Sequence, residues 1–249
     1  MSVKAVAKNA VNSLGNLLLS PPYGGLGHFH NHGPRDRRRI ALTFDDGPSK
    51  PSTQALLDVL GEQAAKATFF CIGLNVSWHP DVLARAFGEG HVIANHSMMH
   101  SRKAGLLPLG ADHIDEASRE ITRVIGCRPR LYRPPWGWLT PWEARRVAAR
   151  GYAVIGWDVY PDDWKLPEVA PEVLVEDVRR RVQPGSIVLF HDAMSNVIDC
   201  RKTNTSRAVA RLVPLLRGEG YELVTVPELL GLSASAPADA AGAAAAGAA

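Results

Sequence analysis

Ile40-Ala41-Leu42-Thr43-Phe44-Asp45-Asp46-Gly47-Pro48 decides how the rest of the chain is read. A short apolar, β-prone run stops abruptly at four turn-forming residues, which marks a strand end. A helical pattern follows at once near Ser52–Leu60, with Ala55, Leu56, Val59 and Leu60 on one face. The same alternation repeats along the chain. Further strands are expected at Ala67–Ile72, His91–Ala94, Leu131–Arg133, Tyr152–Trp157, Ser186–Phe190 and Tyr221–Val226. Between them, a helix starts near Pro80, where the missing N–H costs nothing in the first turn. Ile114, Ala117, Ile121, Val124 and Ile125 mark another. Thr140-Pro141-Trp142-Glu143 reads as a capping box opening a helix that Gly151 ends. Helices are also expected at Pro171–Val182 and at Ser206–Arg217, the latter broken or kinked by Pro214. Strands that alternate with helices imply a parallel sheet, either open and doubly wound or closed into a barrel. In both cases the chemistry belongs just past the C-terminal ends of the strands.

The composition excludes several alternatives. The chain has 249 residues, 28 Lys+Arg against 25 Asp+Glu, a formal charge of +3, 46% hydrophobic and 21% charged residues. That is ordinary globular composition and predicts no nucleic-acid partner. Cys71, Cys127 and Cys200 are too few and too scattered for a disulfide framework or a cysteine-based zinc site. No apolar run reaches the roughly 18 residues of a membrane span. Residues 1–38 read as an N-terminal appendage, 39–232 as a single domain and 233–249 as a disordered Ala/Gly tail. The appendage is expected to carry a short amphipathic helix and a loop in which His28, His30 and His32 are surface residues. Its first residues make a poor signal peptide, because Asn12, Ser13 and Asn16 interrupt the apolar stretch. A cytoplasmic monomer is therefore expected, with export as the alternative.

The unusual polar residues gather at the expected rim. Asp45 and Asp46 follow the first strand, His96 and His100 the third, Arg133 ends the fourth, Asp158, Asp162 and Asp163 follow the fifth, and His191 and Asp192 the sixth. Adjacent carboxylates after a buried strand repel each other, and a cation on one relieves that cost. His96 and His100 at i and i+4 share a face on a helical turn and can grip one metal ion. A carboxylate from a nearby strand end would complete two-histidine, one-carboxylate ligation with open positions, a catalytic pattern that suits zinc or another divalent transition ion. Arg133-Pro134-Pro135-Trp136-Gly137 is rigid and offers an arginine to orient a carboxylate. Five of the six tryptophans lie between Trp136 and Trp164; Trp142 is expected in the core and others as walls for a sugar ring.

In this order the pieces resemble the polysaccharide deacetylase family, carbohydrate esterase family 4 or NodB-homology domain, from about Arg39 to about Leu230. Thr43-Phe44-Asp45-Asp46-Gly47-Pro48 is similar to its first motif, His96-Ser97-Met98-Met99-His100 to the second, Arg133-Pro134-Pro135-Trp136-Gly137 to the third and Leu189-Phe190-His191 to the fifth. The resemblance implies an α/β fold, a distorted (β/α)7 TIM-like barrel, and metal-dependent N-deacetylation of N-acetylglucosamine units in an N-acetylated glycan. It makes Asp45 the general base, His191 the general acid and Arg133 the residue that orients the base. Asp46, His96 and His100 become ligands of one divalent metal ion, zinc first and cobalt or another transition metal next. Trp136, Tyr160, Asp163, Trp164 and Leu189 are implied at the substrate, the Trp136 N–H on the oxyanion.

One departure stands out. Tyr160 occupies the position where the fourth motif commonly has an aspartate that steadies the arginine, so Asp158 or Asp162 is expected to supply that charge. Two other readings stay open: a metal-dependent amidase for a non-sugar amide, and a catalytically impaired carbohydrate-binding relative.

Overall fold

The computed structural model describes residues 29–101, 111–195 and 197–238. The expected N-terminal helix, His28 and the end of the Ala/Gly tail lie outside the described residues. In chain order the elements are β1 (Phe29–His30), β2 (Arg39–Asp45), α1 (Lys50–Glu62), β3 (Thr68–Cys71), α2 (Gly73–Trp78), α3 (Pro80–Gly88) and β4 (Val92–Asn95). Next come α4 (Ala111–Ile125), β5 (Cys127–Pro129), β6 (Leu131–Tyr132), a 3-10 turn at Pro135–Gly137, α5 (Pro141–Ala149) and β7 (Ala153–Ile155). The last described elements are α6 (Pro171–Arg181), β8 (Ile187–His191), α7 (Asn204–Gly218), β9 (Glu222–Val224), α8 (Val226–Leu230) and β10 (Ser235–Pro237).

The main sheet runs β1-β7-β6-β4-β3-β2-β8, with β9 on the first residues of β2, and every pair in it is parallel. Strand alternation divides the buried residues between two sides. Ala41, Phe70, Ala94, Leu131, Ile155, Ile187, Leu189 and Val224 fill the concave interior. Leu42, Phe44, Phe69, Cys71, Val188 and Phe190 face outward against the helices, where Phe44 stacks on Phe69 and on Phe190. Burial on both faces explains why β2 reads as a nearly unbroken apolar run.

The sheet curls into a distorted barrel whose ends meet through bridges instead of a ladder. Val159, past β7, bridges Val188 of β8 in parallel, and His32, past β1, bridges Ser186. Gly33 N–H donates to Gly185 O at 2.7 Å, and Arg35 donates to Pro184 O and to Asp158 Oδ2. Gly185 has no alternative there, since a Cβ would stand 2.5 Å from Pro34 O. Described residues expected in the appendage thus help close the barrel, and Ser235–Pro237, at the start of the expected tail, pairs antiparallel with β5.

Three local expectations need correction. Pro214 neither breaks nor ends α7. A proline frees the carbonyl four residues earlier, and here Gln63 Nε2 donates to Ala210 O at 2.9 Å. Thr140 makes no side-chain cap bond at α5, while Glu143 turns inward beside Arg146 at 3.5 Å. The capping box occurs instead at Thr225 and Glu228 on α8. Trp142 is 56% exposed on the first turn of α5, not in the core, which takes Trp138 and Trp157.

Candidate active site

Parallel register sets the two halves of the site. Asp45 ends β2 directly opposite His191, the last residue of β8. Beyond Asp45 the chain turns sharply: Asp46 has φ 77°, its carbonyl accepts from Asn75 Nδ2 at 2.6 Å, and Gly47 N–H donates to Asp192 Oδ1 at 3.1 Å. A Cβ on Gly47 would lie 2.1 Å from Asp192 Oδ2, so only glycine fits. Asp192 is itself anchored by the Thr53 hydroxyl at 2.5 Å. Burial raises its carboxyl, the Thr53 bond opposes this, and Asp46 adds to the rise, to about 7.

His96 and His100 come together through a turn, not on a helix as expected. Ser97 and His100 have φ 66° and 51°. Ser97 N–H donates to Asn95 Oδ1 at 2.8 Å and His100 N–H to Ser97 Oγ at 3.2 Å. With Asp46 and Trp136, these make four of the five non-glycine positive-φ positions among the described residues. Such backbone persists where its surroundings hold it, commonly at functional sites.

The two rings converge on one carboxylate oxygen. His96 Nδ1 pairs with Arg133 O at 2.8 Å, which assigns its proton there and leaves the Nε2 lone pair inward. Burial, then the neighbouring His100, pulls the His96 imidazole down to about 3, so it stays neutral. Its Nε2 lies 3.6 Å from Asp46 Oδ1, and His100 Nε2 lies 3.3 Å from the same atom. Asp46 Oδ1 is buried and accepts no hydrogen bond. Bonds of about 2.0–2.2 Å in tetrahedral arrangement put neighbouring ligand atoms roughly 3.3–3.6 Å apart, so these spacings fit a small divalent ion. This trio is the one metal-competent group found among the described residues; His30 and His32 are exposed and belong to none.

Beside it, Arg133 is fully buried and pairs through Nη1 with Asp45 Oδ1 at 2.6 Å. The remaining guanidinium donors reach Thr43 Oγ1, Ile155 O and Gly156 O, and its plane covers the Phe70 ring at 4.0 Å. Burial lifts the Asp45 carboxyl above its usual range, against the pull of Arg133 and then His191. Its Oδ2 remains turned to the metal-competent group, 3.7 Å from His96 Nε2.

The opposite half is an Asp–His pair. Asp163, expected at the substrate, is buried and wholly engaged: Oδ1 accepts from His191 Nδ1 at 2.8 Å, and Oδ2 from His191 N–H at 2.7 Å and the Thr205 hydroxyl at 3.0 Å. Burial lowers the His191 imidazole, but the Asp163 charge and hydrogen bond outweigh it, with Asp46 adding, and the net direction is upward.

The fourth-motif expectations change accordingly. Tyr160 is directed to Trp157 and Arg181, whose guanidinium lies 5.3 Å from its ring centre. Asp158 binds Arg35, Ser186 and the Ile187 N–H, and Asp162 pairs with Lys165. Among the described residues no second carboxylate pairs with Arg133; its other donors go to two main-chain carbonyls and Thr43. Leu189 points into the barrel interior two residues before His191. Trp136 and Trp164 are 46% and 54% exposed, and the Trp136 ring stands 5.3 Å from that of His100.

A family model described as polysaccharide deacetylase matches residues 32–155. The chain is 36% identical over 200 residues to a chitooligosaccharide deacetylase of Bradyrhizobium sp. (strain ANU 289), covering 77% of this chain and 90% of that protein. The chain belongs to the polysaccharide deacetylase family. This polysaccharide deacetylase family member is also 34% identical over 201 residues to a peptidoglycan-N-acetylglucosamine deacetylase of Bacillus cereus, covering 79% and 90% of the two chains. The solved structure of the Bc1960 peptidoglycan N-acetylglucosamine deacetylase, in complex with 4-naphthalen-1-yl-N-oxidanyl-benzamide, superposes with a TM-score of 0.78 at 28% identity. That match covers 84% of this chain and 95% of the other. The family implies a divalent metal, and Asp46, His96 and His100 are the residues suited to hold it. Among the described residues no helix is long and apolar enough to cross a membrane.

Proposed function

We propose that this protein hydrolyses the N-acetyl groups of N-acetylglucosamine units in a chitooligosaccharide- or peptidoglycan-type glycan, releasing acetate. One observation carries the reading: the Asp46–His96–His100 group adjoins a carboxylate held by Arg133, and the strand partner of that carboxylate is an imidazole held by Asp163. A zinc ion is our choice for the group, since two imidazoles and one carboxylate suit it, with cobalt an alternative. When bound, it supplies Lewis acidity to the acetamide oxygen and to water.

The chain's own residues supply the proton traffic. Arg133 fixes Asp45 through Oδ1 and leaves Oδ2 to take a proton from the attacking water. Burial makes that carboxylate more basic than an exposed one. His191 holds its Nδ1 proton on Asp163 and presents Nε2 to the departing nitrogen. Water adds to the carbonyl carbon, the carbon–nitrogen bond breaks, and the proton from His191 leaves with the amine. Trp136 and Trp164 offer exposed rings against which sugar C–H faces pack.

The test is acetate release from chitooligosaccharides and from peptidoglycan fragments, with zinc, with cobalt and with a chelator. Release that needs added metal and stops on chelation is expected. Metal-loaded protein that frees no acetate from either glycan overturns the proposal, and turnover of small amides alone would replace it with a non-sugar amidase.

A further inference from the structure

Lys202 has no part in the chemistry described so far, yet its side chain is 5% exposed. Its Nζ donates to the main-chain oxygen of Asp163 at 2.8 Å and lies 3.6 Å from Asp163 Oδ2. Burying an ammonium is expensive unless it is paired. Asp163 is the carboxylate that pays it back, and the same carboxylate grips both the ring and the main chain of His191.

The position of Lys202 is set independently of that contact. Two residues earlier, Cys200 N–H donates to Ser49 Oγ at 3.1 Å. Just after it, the Thr203 and Asn204 N–H groups donate to the Glu168 carboxylate at 3.2 and 3.0 Å. Three residues on, the Thr205 hydroxyl reaches Asp163 Oδ2. The segment entering α7 therefore delivers a cation and a hydroxyl to one carboxylate from fixed anchor points.

We propose that Lys202 is a positioning residue for the acid half of the site, locking Asp163 against the His191 ring so that the imidazole keeps one orientation and a set proton affinity. The inference rests on His191 being the acid of the proposed deacetylation. The charged groups facing His191 are Asp163 and Lys202 on one side and Asp46 and Asp45 from the end of β2. Asp163 and Asp46 favour a proton on the ring, whereas Lys202 opposes it. Burial would raise the Asp163 carboxyl, but His191 and then Lys202 hold it below its usual range. Losing the Lys202 charge must then raise the proton affinity of His191.

The experiment compares Lys202→Gln, Lys202→Met and Lys202→Arg with the wild-type metal-loaded protein. Two readouts are taken: the pH dependence of chitooligosaccharide deacetylation, and the His191 titration midpoint by NMR with labelled histidine. The Gln and Met variants should move the alkaline limb and the NMR midpoint to higher pH, with kcat down roughly 10-fold and KM held. The Arg variant should keep the wild-type midpoint. If Met prevents folding, Gln against Arg still decides, since Gln retains a donor for the Asp163 carbonyl. A Gln variant whose midpoint and kcat match wild type overturns the proposal, as does an Arg variant shifted as far as Gln. The NMR midpoint needs no substrate, so wild-type protein that frees no acetate while the midpoint still shifts refutes the deacetylase reading alone.

Discussion

Asp45 and His191 are register partners on neighbouring strands, and the fold treats them differently. Asp45 is buried against an arginine that takes one oxygen, which leaves a single oxygen to accept a proton. His191 is backed by a carboxylate that favours its charged form. In the proposed deacetylation the base and the acid need opposite protonation states, so a bell-shaped pH–rate profile is expected from steady-state assays. Asp45→Asn keeps the size and the Arg133-facing oxygen but removes the basicity. It should lower kcat by about 10²–10⁴-fold while metal content per chain, read by elemental analysis, stays at the wild-type level. A variant with full turnover would remove Asp45 from the base role. The pairing of Arg133 with Asp45 is an expectation of the motif resemblance, and it is found at 2.6 Å. Asp163 faces His191 and not the expected substrate position, and an Asp-Asp-Trp segment in a loop carries no sign of which way each carboxylate points. Lys202 left no signal at all, since a lysine in a polar stretch is ordinarily solvated.

At the level of elements, the strand ends matter more than the helices. The turn from β2 into α1 must pass Asp46 at φ 77°, bring Gly47 against Asp192 and leave Asp46 Oδ1 facing two imidazoles. Gly47→Ala would drive a methyl group onto the Asp192 carboxylate. It should cost about 1–3 kcal/mol in denaturant unfolding and weaken zinc binding in calorimetry, because the Asp46 turn must move with it. An alanine variant with wild-type stability and affinity would show that the turn yields freely. The His96–His100 spacing illustrates the limit of periodicity. A separation of four residues is also spanned by a turn with two left-handed residues, and Asn95 and Ser97 supply the hydrogen bonds that hold this one. The continuous course of α7 through Pro214 has a similar cause, a distant Gln63 that local sequence could not reveal.

Across the whole molecule, stability also depends on a buried group away from the site. His91, just before β4 and away from the site, is buried and accepts the Ala67 N–H at Nδ1. Burial, then Lys66, depresses its imidazole from 6.5 to about 4. The folded protein therefore holds the neutral ring. The contribution is complete above the unfolded value near 6.5 and is lost as pH falls from there through 4. Over that window it amounts to about 3 kcal/mol. Urea unfolding between pH 8 and 4 should show the loss, and His91→Gln should flatten it. A variant with the wild-type slope would place the acid sensitivity elsewhere.

Seven strands of the main sheet, their parallel order and the rim that carries the chemistry were determined by the sequence itself, because hydrophobic period and turn residues are local properties; the eighth, β1, is too short to leave such a pattern. The motifs likewise singled out Asp45, Asp46, His96, His100, Arg133 and His191 as candidates. Only the tertiary structure decided how the barrel closes, that Asp163 binds His191, that Arg133 donates to main-chain carbonyls and not to Asp158 or Asp162, and that Lys202 is buried. Each depends on contacts between segments far apart in the chain, where burial and hydrogen-bond satisfaction select among directions that the local sequence leaves equally open.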